Sequence, residues 1–244
     1  MEHNYNSQPA TPSKLATEQE LARVEAAYSK RKDVSRYTMF EPAVLLAVQE
    51  LERKLLAAFR RKGMNSFEQL QILEVGCGTG FWIRQFIKWG ALPEHIHGLD
   101  LIPERIAEAK RLCASGVTLD CGSATQLRHD AGQFDLVFQF TMFTSILDFQ
   151  MKKQVAREML RVLRPRGWII WYDFHVNNPH NRDVRGIGIQ QLQALFPECR
   201  VERHRATLAP PIARPLARIS TVLHGCLSSI SLLRTHYLAL ITRL

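Results

Sequence analysis

Short apolar runs alternate with amphipathic stretches through the middle of this chain. The runs are rich in β-branched and aromatic residues, which is typical of strands buried on both faces of a parallel sheet. They occupy residues 72–75, 95–100, 117–121, 134–140 and 168–174. Between them, apolar residues recur three and four positions apart, as one face of a helix requires. The alternation predicts an α/β fold, with a parallel sheet covered by helices on both faces.

The same patterns predict helices before this core and a mixed segment after it. Apolar residues at helical spacing predict two leading helices, at 17–32 and 43–61. The elements predicted after the core are a short helix at 189–196, a strand at 200–208, a helix over 215–233 interrupted at Gly225, and a strand at 236–241. Polar residues 1–13 are expected to form a disordered tail. We divide the single domain at 14–244 into leading helices (14–66), core (70–174) and a substrate-side and C-terminal part (175–244).

Three glycines at alternate positions follow the first predicted strand. Gly76, Gly78 and Gly80 separate it from a helical pattern that includes Trp82. Such a turn presents backbone N–H groups and a positive helix end to a ligand, and glycine leaves no Cβ in the way. The dinucleotide fingerprint would need a glycine where Phe81 stands, so a nicotinamide cofactor is disfavoured.

This loop resembles motif I of the class I S-adenosylmethionine (SAM) methyltransferases. The matching residues are Glu74-Val75-Gly76-Cys77-Gly78-Thr79-Gly80. Three landmarks follow in the family's order: Asp100, Phe134-Asp135-Leu136-Val137, and Leu163-Arg164-Pro165-Arg166-Gly167. The resemblance covers about residues 70–174 and is nearest to the broad group of ubiquinone/menaquinone-type and small-molecule enzymes. It implies a Rossmann-like, doubly wound, mainly parallel seven-stranded sheet with an antiparallel last strand, and a lid of N-terminal helices.

The resemblance also implies the cofactor, S-adenosyl-L-methionine, with S-adenosyl-L-homocysteine as product. Asp100 would accept hydrogen bonds from the ribose hydroxyls, although it could also simply cap the next helix. The family's usual Gly-Asp-Ala after the third strand is Gly-Ser-Ala here, so Ser123 or its neighbours Ala124 and Thr125 would meet the adenine. The candidate cofactor-binding residues are Glu74, Gly76, Cys77, Gly78, Gly80, Asp100, Leu101, Ser123, Ala124, Gln139 and Phe140. Cys77 is interpreted as a small loop residue and not as a nucleophile.

The methyl acceptor is expected to meet the polar segment after the fifth strand. Methyl transfer to a hydroxyl requires a base, and His175 is the first candidate because imidazole titrates near neutral pH. Asp173 or Tyr172 could replace it, and strand alternation allows only one of these two to face the crevice. His175 could instead be an ordinary loop imidazole, and residues 175–186 a turn-rich connector. No clustered metal-ligand spacing is present, so no metal is expected.

The chain is basic, with a net charge of +9 and a pI of about 9.6. Either solvated basic faces or an anionic partner would account for this charge, but no RNA-binding motif accompanies it, so nucleic acid is disfavoured. Residues 200–244 hold seven arginines and one glutamate, which suggests peripheral contact with an anionic membrane or else a sheet-covering helix with solvated arginines. Five scattered cysteines and the polar N-terminus favour a reduced, cytoplasmic protein.

The function predicted from the sequence is methyl transfer from SAM to a small molecule. The preferred acceptor is a hydroxyl of a natural-product, quinone-like or saccharide/lipid-linked compound. Two alternatives stay open: an RNA or protein methyltransferase, and a SAM-binding module without catalysis.

Overall fold

A computed structural model describes residues 14–30 and 38–244. The predicted tail at 1–13 and most of the break between the leading helices lie outside these ranges. The helices are α1 (Lys14–Ser29), α2 (Pro42–Arg61), α3 (Phe81–Lys88), α4 (Pro103–Leu112), α5 (Phe149–Val162), α6 (Ile189–Leu195), α7 (Pro210–Ile219) and α8 (Thr221–Ser229). The strands are β1 (Ile72–Val75), β2 (Ile96–Asp100), β3 (Thr118–Cys121), β4 (Phe134–Phe140), β5 (Leu163–Phe174), β6 (Cys199–Leu208) and β7 (Arg234–Arg243). Short 3-10 turns occur at Pro93–His95, Phe143–Ser145 and Ser231–Leu233.

The seven strands form one sheet in the order β3-β2-β1-β4-β5-β7-β6. Strands β1 to β5 are parallel, and β7 pairs antiparallel with both β5 and β6. The predicted seven-stranded, mainly parallel sheet is therefore confirmed. Strand order reverses between β1 and β4, which is where open α/β sheets leave a crevice for ligands. Because β6 runs in the same direction as β5, it ends at the same edge as β1 to β5, here called the carboxyl edge.

Helices cover both faces of the sheet, and each face buries its own apolar cluster. On one face α2, α3 and α4 pack with Leu55, Phe59, Phe86 and Phe138 in the cluster. On the other face α5 and α6 pack against the second cluster. Helical spacing in this region predicts one buried stripe of Met151, Val155, Met159 and Val162, and all four residues are buried in α5. No helix in the described ranges is long and apolar enough to cross a membrane.

The prediction of one helix over 215–233, broken at Gly225, was wrong. Two helices occupy this region, and they meet at Ser220, whose backbone is extended and whose hydroxyl accepts the N–H of Leu223. Serine is a favoured N-cap because its oxygen satisfies a free N–H of the first turn, so the second helix begins there. Gly225 lies inside α8, where it costs some helix stability but does not end the helix.

Two further boundaries differ from the prediction around α5. The helical pattern after the fourth apolar run predicts a helix from about Ser145 to Leu163, ended by residues 163–167. The helix begins instead at Phe149, because the Asp148 carboxylate caps it by accepting the N–H of Met151 at 2.6 Å. At its other end, residues 163–167 open β5, where Leu163 pairs with Phe134. A register irregularity between Phe134 and Leu136 accommodates this longer strand.

Candidate cofactor and acceptor site

The glycine loop lies at the carboxyl edge, between β1 and α3. Gly76, Gly78 and Gly80 all have positive φ, at 77°, 55° and 74°, a conformation that strains other residues. A Cβ at position 76 would also lie 2.7 Å from Cγ of Met142, well inside van der Waals contact. A Cβ at position 80 would likewise clash with Sγ of Cys113. The loop therefore needs glycine for its backbone conformation at all three positions, and at positions 76 and 80 for space as well.

Asp100 ties this loop to the end of β2. One carboxylate oxygen accepts the N–H of Gly78 at 2.8 Å, and the other accepts the N–H of Ile102 at 3.0 Å. The carboxylate thus holds the loop and also fixes the entry into α4, beside Leu101. A carboxylate can accept about four hydrogen bonds, so two such bonds leave capacity for ribose hydroxyls. Its ribose role stays a prediction that this geometry supports.

Glu74 is buried beside the loop with an unpaired oxygen. Its Oε2 has no hydrogen-bond partner among the described residues. Burial, and then the negative charge of Asp100, raise the pKa of the Glu74 carboxyl well above its usual range. An unpaired buried carboxylate oxygen is costly unless a donor meets it, and an ammonium group would be a suitable one.

The other side of the crevice begins where β3 ends. The hydroxyl of Ser123 lies 2.8 Å from that of Thr125 and accepts the Thr125 N–H at 3.2 Å, which makes a local turn. Ala124 is half-buried against the cluster under α5. The structure therefore puts both residues at the carboxyl edge, with the Ser123 hydroxyl already engaged locally. Their contact with adenine stays a prediction.

Gln139 and Phe140, at the end of β4, have different surroundings. Gln139 is fully buried, and its side chain accepts the N–H of Met142 at 3.0 Å and donates to the Tyr172 carbonyl at 3.4 Å. It therefore fixes the loop after β4, in which Thr141 has a φ of 58°. The Phe140 ring stacks on Trp82 at 4.5 Å and lies 5.7 Å from the Tyr172 ring.

Tyr172 and Asp173 point to opposite faces of the sheet, as strand alternation requires. The Tyr172 hydroxyl is buried, 2.6 Å from the hydroxyl of Thr207, and burial raises its pKa. Asp173, which is 1% exposed, accepts the Thr144 hydroxyl at 2.6 Å and the Thr144 and Phe174 N–H groups at 3.2 and 3.0 Å. Burial raises the Asp173 pKa to about 7, and the Thr144 hydrogen bonds oppose this. Both side chains therefore lie in packed surroundings, away from the open crevice.

His175 is only partly buried and has a defined tautomer. Its Nε2 lies 3.1 Å from the carbonyl oxygen of Arg234, which can only accept, so Nε2 must carry the proton. In the neutral ring Nδ1 is then left as a hydrogen-bond acceptor. The imidazole stacks on Tyr237 at 4.2 Å. Partial burial lowers the pKa of His175, and the Arg234 carbonyl opposes that effect.

Helix α1 lies across the carboxyl edge, where the resemblance implies a lid. The Tyr28 hydroxyl is 2.9 Å from that of Ser145, and the guanidinium of Arg105 lies over the Tyr28 ring at 4.2 Å. The same guanidinium would be 3.5 Å from a Cβ at Gly78. Tyr28 therefore spans the crevice from the glycine loop to the turn after β4. The sequence marked Tyr28 only as part of an apolar helix face, so this contact was not predicted.

Charged residues of α1 hold the helix in that position. Arg23 donates to the carbonyl of Ser145, and Glu20 accepts the N–H groups of Leu147 and Asp148. Arg23 and Glu20 also pair with each other at 2.8 Å. These contacts link α1 to the turn after β4 and complete one wall of the crevice. Sequence periodicity carries no information about partners more than a hundred residues away, so it could not have found them.

Comparison with known proteins gives a consistent picture. Residues 72–167 match the family model of the methyltransferase domain. A curated relative, the secondary metabolism regulator laeA of Coprinopsis cinerea, is 28% identical over 122 residues. That match covers 48% of this chain but only 28% of the relative's length.

Solved structures share the fold at low sequence identity. A SAM-dependent methyltransferase from Mesorhizobium loti has a TM-score of 0.55 at 17% identity, over 75% of this chain and 95% of that one. A proposed sarcosine dimethylglycine methyltransferase from Galdieria sulphuraria has a TM-score of 0.59 at 17% identity, over 81% of this chain and 87% of that one. An Aquifex aeolicus SAM-dependent methyltransferase has a TM-score of 0.55 at 14% identity, over 91% and 97%.

The sheet order, the glycine loop with its acidic partner and the family match together support a class I SAM-dependent methyltransferase. The segment at 72–167 matches a methyltransferase domain, and that match implies SAM as the cofactor. The residues present fit that cofactor. The glycine loop adds no side chains of its own at positions 76, 78 and 80, Asp100 has acceptor capacity to spare, and Glu74 offers a buried oxygen without a partner among the described residues.

Proposed function

We propose that the protein methylates a hydroxyl group of a small, largely apolar molecule. The observation that carries this proposal is the covered crevice: Tyr28 bridges from Ser145 to Arg105 above the glycine loop. A covered site admits a small molecule more readily than a folded RNA or protein surface. The Phe140 ring at the end of β4 stacks on Trp82 at 4.5 Å, and aromatic rings at this edge of the sheet support an apolar acceptor.

In this proposal the protein mainly binds, orients and excludes water. SAM supplies an activated methyl group when bound. The Gly78 loop and Asp100 would hold the cofactor, and Glu74 would meet its ammonium group. Helix α1 would exclude water from the crevice. Such alignment accounts for much of the rate acceleration in a displacement between bound partners.

His175 is the base in this proposal. The Arg234 carbonyl fixes the proton on Nε2, so Nδ1 is the nitrogen able to take a proton from an acceptor hydroxyl. Partial burial lowers the pKa of the imidazole and keeps it neutral, and therefore competent as a base, at neutral pH. Tyr172 and Asp173 are assigned structural roles because their polar atoms are already bonded within the packed interior.

The test is a screen of phenols, quinols and other hydroxyl compounds that measures release of S-adenosylhomocysteine. With an active acceptor, His175→Ala should lower turnover by about a hundredfold or more and leave SAM affinity unchanged. His204→Ala, an exposed imidazole on β6, is the matched control and should behave as the wild type. An equal loss of SAM affinity and turnover in His175→Ala would assign His175 a structural role instead.

A second candidate is suggested by the match to a regulator of secondary metabolism. Such a protein could methylate another protein or bind SAM without catalysis. Radiolabelled SAM incubated with protein extracts would label a protein substrate, which the small-molecule proposal does not expect. SAM binding measured by calorimetry, without S-adenosylhomocysteine release from any acceptor, would favour a non-catalytic role. The net charge of +9 also suggests an RNA substrate, and steeply salt-dependent RNA binding would favour that alternative.

A further inference from the structure

The segment between β6 and β7 is a helical excursion at the carboxyl edge. It consists of α7, α8 and the turn Ser231–Leu233. Strand β6 ends at the same edge as the parallel strands, so this excursion lies on the same side of the sheet as the glycine loop. It packs on α2, where Arg218 pairs with Glu41 at 2.7 Å.

The two helices have an inward apolar side and also leave large apolar residues on the surface. Ala213 and Ala217 are buried, and Ile212, Leu216 and Leu227 pack against the same cluster. Five further apolar residues are exposed, and together we call them the α7–α8 face: Ile219, Val222, Leu223, Ile230 and Leu232. Ile219 is 77% exposed, Val222 72% and Leu232 80%. Exposed apolar residues in such number mark a contact surface.

A neighbouring residue extends the apolar surface. Phe40, directly before α2, is 96% exposed. Its chain neighbour Glu41 is the partner of Arg218 on α7, so Phe40 lies close to the C-terminal part of α7. Exposed phenylalanine beside exposed aliphatic residues is typical of surfaces that enter the boundary between lipid headgroups and acyl chains.

The charge of the helical excursion itself is one-sided. Residues 209–233 contain Arg214 and Arg218 and no lysine, aspartate or glutamate. The two arginines are four residues apart on α7 and therefore share one helix face. Arg218 is paired with Glu41, which leaves Arg214 as the cation available to a partner's anionic group. A second copy of the chain would bring two such positive surfaces together, whereas an anionic surface complements them.

We propose that the α7–α8 face docks on an anionic lipid membrane surface. The apolar side chains enter the headgroup region, and Arg214 contacts lipid phosphates. Docking there would hold the carboxyl edge, and with it the mouth of the crevice, close to the membrane. The contact is peripheral, since no helix of the described ranges could span a bilayer. The proposal is independent of methyl transfer, because it concerns binding alone.

The experiment is co-sedimentation of the full chain with vesicles. Wild-type protein should bind vesicles of phosphatidylcholine mixed with phosphatidylglycerol, and bind pure phosphatidylcholine much less. The double variant Val222→Ser, Leu223→Ser should bind the mixed vesicles about tenfold or more weakly, because buried apolar area is lost. Leu112→Ser, an apolar residue 40% exposed at the end of α4, is the matched control and should bind normally.

A charge variant tests the electrostatic part. Arg214→Gln should weaken binding to the mixed vesicles about fivefold. The control is Arg166→Gln, which removes an exposed arginine near the start of β5 and should bind normally. Thermal unfolding and SAM binding show whether each variant is folded. If the double variant Val222→Ser, Leu223→Ser does not fold, the double variant Ile219→Ser, Leu232→Ser takes its place. Absence of wild-type binding to either vesicle, or equal binding by wild type and serine variants, would overturn the proposal. So would a concentration-dependent dimer that the serine variants abolish, without vesicle binding.

Discussion

Replacing Asp173 by asparagine should change how the stability of the protein depends on pH. Burial raises the Asp173 pKa to about 7 in the folded chain, against an ordinary value of 3.8. Between about pH 4 and pH 7 the folded chain therefore keeps a proton that the unfolded chain has released. The free energy of unfolding should fall as pH rises through this window, because the folded state binds more protons.

The size of the effect follows from the difference between the two pKa values. Each unit is worth about 1.4 kcal/mol, so Asp173 can lower the free energy of unfolding by at most about 4 kcal/mol between pH 4 and pH 7. Asparagine has the shape of a protonated aspartate and can still accept from the Thr144 hydroxyl, but it does not ionise. We expect the stability of Asp173→Asn relative to the wild type to rise by up to about 4 kcal/mol between pH 4 and pH 7, and to stay constant above that range.

The assay is urea unfolding of both proteins at several pH values, followed by fluorescence. The quantity of interest is the difference between wild type and variant, because that difference cancels the titration of all other groups. Asp130→Asn, which alters an exposed carboxylate, is the control and should leave the difference flat. A difference for Asp173→Asn that does not change with pH would refute the reasoning. It would mean that Asp173 stays ionised, stabilised by the buried Lys152 whose charge opposes the pKa increase. A constant offset added to the expected change would not refute it, because the asparagine NH2 group cannot accept the Thr144 N–H that Oδ2 accepts.

Two further predictions concern the cofactor. Asp100→Ala should weaken SAM binding by about tenfold or more, because the carboxylate that holds the loop is lost. Gly78→Val should weaken it similarly, because position 78 has a φ of 55° that valine adopts only with strain. Unchanged affinity of both variants in calorimetry would contradict the assigned site. Because burial raises the pKa of Glu74, SAM binding should release a proton there and strengthen as pH rises, and Glu74→Gln should abolish that release. Calorimetry in two buffers of different ionisation heat measures it, and equal apparent enthalpies for the wild type would argue against it.

Much of the core could be predicted from the sequence because its signals are local. The strand at 134–140 has the predicted bounds, and β1 begins at residue 72 as predicted, since each is an apolar run between clear breaks. The glycines at 76, 78 and 80 have positive φ, and glycine is the residue that adopts this conformation without strain, so the loop can be recognised from local sequence. Boundaries set by capping side chains were less predictable, as Ser220 shows, because any nearby serine could have served.

The sequence by itself determined the fold class, the cofactor loop and the set of candidate groups. Only the tertiary structure decided what those groups do. Tyr172 and Asp173 are neighbours in the chain, yet one bonds Thr207 and the other Thr144, on opposite faces of the sheet. His175 has a defined proton position only because β7 brings the Arg234 carbonyl beside it. Periodicity records which face a residue takes, whereas its pKa, tautomer and hydrogen-bond partners depend on residues far away in the chain.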